Sequence, residues 1–85
     1  MPTILILNNG FVYIGRLQSD GVWFELTDAH NIRRWQGKKG LGQVALEGPK
    51  ASEATFDKCG DIKAHVMCGH TMTCNAEAWR EVYGE

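Results

Sequence analysis

Arg33, Arg34, Lys38 and Lys39 place four of the nine cations of this chain within seven residues, and no acid lies between Asp28 and Glu47. Trp35 sits among them, and Gly40 and Gly42 open a segment with helical spacing. These residue types suit a phosphorylated ligand. Cations supply charge. The N–H groups at a helix start, here Gly40 to Gln43, supply donors where the helix dipole is positive. An indole face can stack on a base. The candidate ligand-binding set is therefore Arg33, Arg34, Trp35, Lys38, Lys39, Gly40 and Gly42. A solvated basic loop beside a core tryptophan accounts for the same residues. Gly37-x-x-Gly40-x-Gly42 is not a P-loop, because Lys38 and Lys39 precede the last glycine and no Lys-Ser/Thr pair follows it.

Cys59, Cys68, His70 and Cys74 form a second group of chemically capable residues. Zinc takes four such ligands in a tetrahedron. The spacing Cys-x8-Cys-x-His-x3-Cys lacks the short Cys-x-x-Cys knuckles of structural zinc sites, so the reading is free thiols with a surface histidine, and neither a metal nor a cofactor is implied. A thiol nucleophile could pair Cys59 or Cys68 with His65 or His70, but nothing in the spacing sets their geometry. Asp57 and Asp61 flank a turn and read as solvated. The expectation is a protein that is not an enzyme.

The elements that must position these residues fall into two halves. Thr3 to Leu7 is apolar on both faces, and Asn8-Asn9-Gly10 is a hairpin signal. Phe11 to Leu17 is the return strand, with Phe11, Tyr13 and Leu17 on the face of Gly15, and Val12, Ile14 and Arg16 on the other. Gly15 inside a strand predicts a bulge or a close backbone approach. Ser19-Asp20-Gly21 is a second turn, and Val22 to Thr27 a third strand. Asp28 to Asn31 reads as a turn into a short strand, Ile32 to Gln36, on which Arg33 and Trp35 share a face. After a loop from Gly37 to Gly40, Leu41 to Glu47 reads as a two-turn helix with Leu41, Val44 and Ala45 buried. Gly48 suits its left-handed cap, and Pro49 prevents continuation.

Lys50 to Ser52 is loop. Ala54 to Phe56 is a short strand, Asp57 to Gly60 a turn, and Ile62 to Met67 a strand with Ile62, Ala64 and Val66 inward. His70 to Cys74 continues the sheet. Asn75 caps a terminal helix, Ala76 to Tyr83, whose apolar stripe is Trp79, Val82 and Tyr83. The fold class is α+β: a mainly antiparallel sheet, with a small curled barrel as one form of it, plus a short mid-chain helix and a C-terminal helix.

Eighty-five residues make a single domain spanning 1–85. A chain this short buries only about 60–65% of its unfolded surface. With 44% apolar residues the prediction is a homo-oligomer, since association adds buried area. The net charge of −1 argues against a general DNA-coating role. It hides an asymmetry. Arg33 to Lys50 holds five cations against one acid (+4), and the remainder holds four against nine (−5), the pattern of a localised anion site on an acidic body. Three cysteines, no basic segment ahead of the first strand and no membrane-length apolar run predict a cytoplasmic protein with free thiols and no membrane contact.

The order of motifs resembles an uncharacterised family of small tailed-phage and prophage proteins. Gly10-Phe11-Val12-Tyr13-Ile14-Gly15-Arg16-Leu17 is similar to its aromatic strand ending Gly-x-Leu. Ala29-His30-Asn31-Ile32-Arg33-Arg34-Trp35 is similar to its Ala-Arg-x-x-x-Trp segment. Leu41 to Pro49 resembles its Leu-Gly-x-x-Ala-x-x-Gly-Pro helix, and Ala76-Glu77-Ala78-Trp79 its terminal helix. The chain departs from the pattern after Pro49, where Lys50 to Phe56 replaces an Arg-Ile-Gly segment. The resemblance implies a phage protein in the host cytoplasm and carries no known active site. Joined to the basic–aromatic stretch, it predicts a non-enzymatic binder of an anionic ligand. The concrete form is a sponge that sequesters a nucleotide signal of bacterial antiphage defence. The alternatives are a module docking on a host or phage protein, and a binder of single-stranded nucleic acid, which the net charge makes the weaker of the two. Should the basic stretch not be the seat, the aromatic meander of Tyr13 and Trp23 is the next place to look.

Overall fold

The computed structural model describes residues 2–34, 40–49 and 54–84. The expectations placed on Trp35, Gln36, Gly37, Lys38 and Lys39, on the Arg34 side chain and on the loop from Lys50 to Ser52 lie outside the described residues. Six strands form one antiparallel sheet: β1 (Pro2–Leu7), β2 (Val12–Ser19), β3 (Trp23–Arg34), β4 (Thr55–Lys58), β5 (Ile62–His65) and β6 (Gly69–Thr73). Helix α1 (Gly40–Glu47) lies between β3 and β4, and α2 (Arg80–Tyr83) closes the chain. The α+β reading holds. The order is β4-β3-β2-β1-β6, with β5 pairing the first half of β3 beyond β4. Only a 3-10 turn, Val66–Cys68, joins β5 on the β3 side to β6 on the β1 side. So short a link forces the sheet to curl, but it stays open and does not become a barrel. Among the described residues no helix is long and apolar enough to cross a membrane.

Strand β1 is apolar on both faces because it is covered on both. Ile4 belongs to a cluster with Val12, Ile14, Ile32, Val44 and Ala45 of α1, and Trp79 and Tyr83. Leu5 belongs to a second cluster with Leu26 and Ala29, on which Tyr13, Leu17, Phe24, Ile62 and Ala64 pack. The alternation read for β2 is therefore correct. So is the buried stripe of α1, ended by Gly48 at φ +97, whose N–H donates to the Val44 carbonyl. A β-carbon at Gly48 would also meet the Ala78 carbonyl oxygen at 2.6 Å.

Asp28 to Asn31 is not a turn, and Ile32 does not open a new strand: β3 runs unbroken from Trp23 to Arg34. The register steps from Ile14↔His30 to Arg16↔Thr27, so Gly15 alone faces both Asp28 and Ala29. Asp28 takes up the extra residue at φ 52 and pairs through its carboxylate with Arg16. The chain bulges where the turn-forming residues predicted a reversal. The bulge resets the alternation, so Leu26 before it and Ala29 after it reach the same cluster. A β-carbon at Gly15 would stand 2.9 Å from the Thr27 carbonyl oxygen, the close approach that glycine in a strand signals.

The terminal helix is shorter than its periodicity predicts. Ala76 to Trp79 is a turn, and only Arg80 to Tyr83 is helical. Tertiary hydrogen bonds decide this. Asn75 Oδ1 accepts from the Glu77 N–H (3.1 Å), Asn75 Nδ2 donates to the Leu46 carbonyl (3.2 Å), and Trp79 Nε1 donates to the Val44 carbonyl (3.1 Å). The segment is tied to α1 before it can wind.

Candidate functional site

Of the seven candidate residues, Arg33, Gly40 and Gly42 can be placed together with their surroundings. A register shift against β4 between Ile32 and Arg34 leaves Arg33 as the extra residue of a second bulge. Its side chain is exposed, and its Nε donates to Asp57 Oδ2 at 2.5 Å. Part of its charge is thus already matched. Gly40 starts α1 at φ +62, and Gly42 lies in its first turn, where no acid stands. Arg33 also borders a groove of about 360 Å³ with Gly10, Phe11 and Asn31. The aromatic neighbour described there is Phe11, 56% exposed. The cysteines and His70 do not converge. Cys74 is buried, Cys68 is exposed on the 3-10 turn, Cys59 Sγ donates to the Ala29 carbonyl, and no group of three metal-ligating side chains occurs among the described residues.

A better-formed constellation lies at the other end of β3. Asp20 Oδ1 accepts from the N–H groups of Val22 (2.9 Å) and Trp23 (2.8 Å), locking the β2–β3 turn. The hydrogen bonds from Trp23 and then Val22 hold the Asp20 carboxyl below its ordinary value. Trp23 opens β3 at 40% exposure, directly opposite His65 of β5, while Lys63 stands opposite Glu25. The His65 ring meets the indole edge-on at 5.4 Å, and Lys63 Nζ lies 5.1 Å from the indole centroid, within cation–π range. His65 Nδ1 accepts from the Met67 N–H (3.0 Å), so a neutral imidazole carries its proton on Nε2. Asn8 ties the β1–β2 turn to the same place, its Nδ2 donating to the Met67 carbonyl (3.2 Å) and its N–H to that of Cys68 (2.8 Å).

Asn8, Asn9, Trp23, Lys63, His65 and Cys68 line a groove of about 470 Å³, with no carboxylate in its wall among the described residues. Across Lys63 and Trp23 lies a second hollow of about 390 Å³, walled in part by Asp20 and Glu25. Lys63 borders both, and the second sets two carboxylates beside it. No protein-family model matches the chain, and no curated protein or solved structure matches it either.

An aromatic face, an ammonium, an imidazole N–H and two carboxamides around one groove are a binding set for a flat, negatively charged molecule. In the sequence Lys63 and His65 alternate with the inward Ile62 and Ala64 on one strand, and Asn8 and Asn9 lie in a turn, with nothing that joins them to Trp23. Their i, i+2 spacing was the available signal. The cross-strand register that brings Trp23 to His65 was not.

The three thiols should react in a fixed order. Burial pushes the Cys74 thiol up to about 12 and raises that of Cys59 by less. An aromatic disulfide reagent at pH 8 should label exposed Cys68 within seconds and Cys59 more slowly. Cys74 should react only at the rate of unfolding. Fast labelling of all three would contradict the packing of β6 against β1.

Proposed function

We propose that this chain is a non-enzymatic binding protein for a small anionic ligand carrying a flat ring, and that a nucleotide is the chemical class that meets both conditions. The observation that carries this reading is the placement of Lys63 and His65 on Trp23 at the wall of a groove free of carboxylates. The indole offers stacking, and the ammonium draws the phosphate to the same point. Two of the three thiols are poor nucleophiles, since Cys59 is engaged with a carbonyl and burial makes Cys74 the reverse of an activated one. The biological form of the proposal is a sponge for a nucleotide signal of antiphage defence, in the host cytoplasm. It rests on the resemblance of the ordered motifs to those of small phage proteins.

Calorimetric titration of cyclic and linear nucleotides tests this. Trp23→Ala should weaken binding about ten- to a hundredfold, since stacking on an aromatic ring contributes about 1–3 kcal/mol per base. Lys63→Ala should cost less, with an effect that fades as salt rises. Arg33→Ala should change affinity little. The reverse order of effects would move the ligand to the basic stretch from Arg33 to Gly42. No binding by the wild type to any nucleotide would remove the proposal.

A second reading, docking on another protein, rests on the exposed apolar rim of the same end. Val22 and Met67 (78% exposed) flank Trp23, and the Val66 N–H donates to the Val22 carbonyl between them. Salt separates the readings. Docking through that rim should persist at high salt, whereas attraction of the charged ligand to Lys63 weakens with it.

A further inference from the structure

We propose that the outer edge of β6 is the surface through which two copies of this chain pair, strand to strand and antiparallel, about a two-fold axis at Thr71. The parity of the β1–β6 ladder places the free groups. The Asn8 N–H donates to the Cys68 carbonyl and the Cys74 N–H to the Pro2 carbonyl, one hydrogen bond at each end of the ladder. The register between them is unbroken, from Leu7↔Gly69 to Thr3↔Thr73. Hydrogen-bonded pairs alternate along an antiparallel ladder, so His70 and Met72 also turn their backbone groups toward β1. Gly69, Thr71 and Thr73 therefore turn theirs outward, and among the described residues β1 is the one strand that pairs with β6, at the end of the sheet.

An open edge of this kind is normally guarded by charge, proline or a bulge. The β6 edge has none of these. Its sequence Gly69-His70-Thr71-Met72-Thr73 holds no Asp, Glu, Lys, Arg or Pro, and its register with β1 shows no shift. The other free edges are guarded: β4 carries Asp57 and Lys58, and β5 carries Lys63. The β5 edge also has fewer outward groups. The Val66 N–H bond to Val22 puts Ile62 and Ala64 in the hydrogen-bonded pairs with β3, which leaves Lys63 and His65 facing out. Pairing β6 with β5 of a second copy would be a head-to-tail contact that need not close.

Pairing β6 with itself closes at once. Thr71 meets Thr71, Gly69 meets Thr73, and His70 meets Met72, so no like charges are opposed. The three outward residues of each strand give on the order of six backbone hydrogen bonds. Thr–Thr contacts across strands are themselves favourable. An apolar side chain adjoins the edge. Leu46 is 64% exposed, and its carbonyl accepts from Asn75, two residues beyond β6, so pairing would bring α1 of each copy toward the other. The ligand groove at Trp23 is not part of this surface, and either conclusion can stand without the other.

Sedimentation from micromolar to millimolar concentration should show a mass rising to two chains. In the dimer, the amides of Gly69, Thr71 and Thr73 should exchange slowly with deuterium, and dilution should release them. Thr71→Pro removes an outward N–H without touching the β1 ladder, and Thr71→Lys adds an edge charge. Each should weaken the dimer about a hundredfold or more while the circular dichroism of the monomer is kept. A wild type that stays monomeric over the whole range overturns the proposal. So does a dimer whose Thr71 amide exchanges freely, a reading on the wild type that does not depend on the variants folding. A dimer that survives folded Thr71→Lys would equally place the interface elsewhere.

Discussion

Trp79→Ala should leave this domain barely folded, with a loss of about 3–5 kcal/mol. The whole stability of a chain of this length, at about 0.05–0.15 kcal/mol per residue, comes to about 4–13 kcal/mol, so the loss takes a large share of it. Trp79 is 1% exposed and joins three parts of the molecule. Its ring packs edge-on against Phe56 of β4 at 5.6 Å and lies 6.3 Å from Tyr83, and its Nε1 donates to the carbonyls of Val44 and Ala45. Trp79→Phe isolates the two contributions. Both carbonyls keep another donor, Gly48 N–H for Val44 and Asn75 N–H for Ala45. Losing the indole N–H should then cost about 1 kcal/mol, with a further share for the smaller ring. Urea unfolding followed by circular dichroism measures both variants. An alanine variant within about 1 kcal/mol of wild type would mean that this core does not hold the helices.

Much of this core is legible residue by residue. Ile4 and Leu5, side by side and both apolar, announce a strand covered on two faces, because a half-exposed strand would alternate. Val44 and Ala45 followed by Gly48-Pro49 announce a buried helix face and its end. What was not legible depends on partners distant in sequence. Asp28-Ala29-His30-Asn31 carries turn-forming residues, but Gly15 on the neighbouring strand makes room for a bulge, and the strand continues. Asn75 and the residues after it have helical spacing, yet hydrogen bonds to Leu46, Val44 and Ala45 hold them as a turn.

The candidate site divides the same way. Arg33 is a cation two residues from Trp35 in sequence, and Asp57 neutralises part of it from β4, which no local pattern reveals. Trp23 and Lys63 are forty residues apart, and only the pairing of β3 with β5 makes them one surface. Charge density along the chain pointed to the basic stretch. Cross-strand register points to the groove.

Tyr83→Phe should cost about 1–3 kcal/mol, through one oxygen atom. The ring is 2% exposed, and Arg16 lies over it at 5.2 Å. The hydroxyl lies 3.1 Å from the carbonyls of Ile14 and Asp28 and 3.2 Å from His30 Nδ1. It can donate to one carbonyl while accepting from the imidazole N–H. Those partners sit on β2, on the bulged residue Asp28 of β3 and just beyond it, so the hydroxyl pins the last helix to the bend of the sheet. Arg16 strengthens the join, donating to the Tyr83 carbonyl (2.7 Å) and pairing with Asp28. Phenylalanine fills the same volume and leaves these groups without their partner.

The sign with pH follows from burial, the largest influence on this hydroxyl. Burial raises the folded pKa of Tyr83 above its ordinary 10.0, against the opposing pull of Arg16, and raises Cys74 from 9.0 to about 12. Groups raised in the folded state contribute in full below their unfolded values and lose that contribution as pH climbs toward the folded ones. These two groups therefore leave stability unchanged from pH 7 to about 9 and lower it progressively above. Since the variant lacks the tyrosine share, the urea midpoints of wild type and Tyr83→Phe should draw together above pH 10. Midpoints that stay equally far apart from pH 7 to 11 would show that the Tyr83 hydroxyl ionises as readily folded as unfolded, and that burial does not hold its proton.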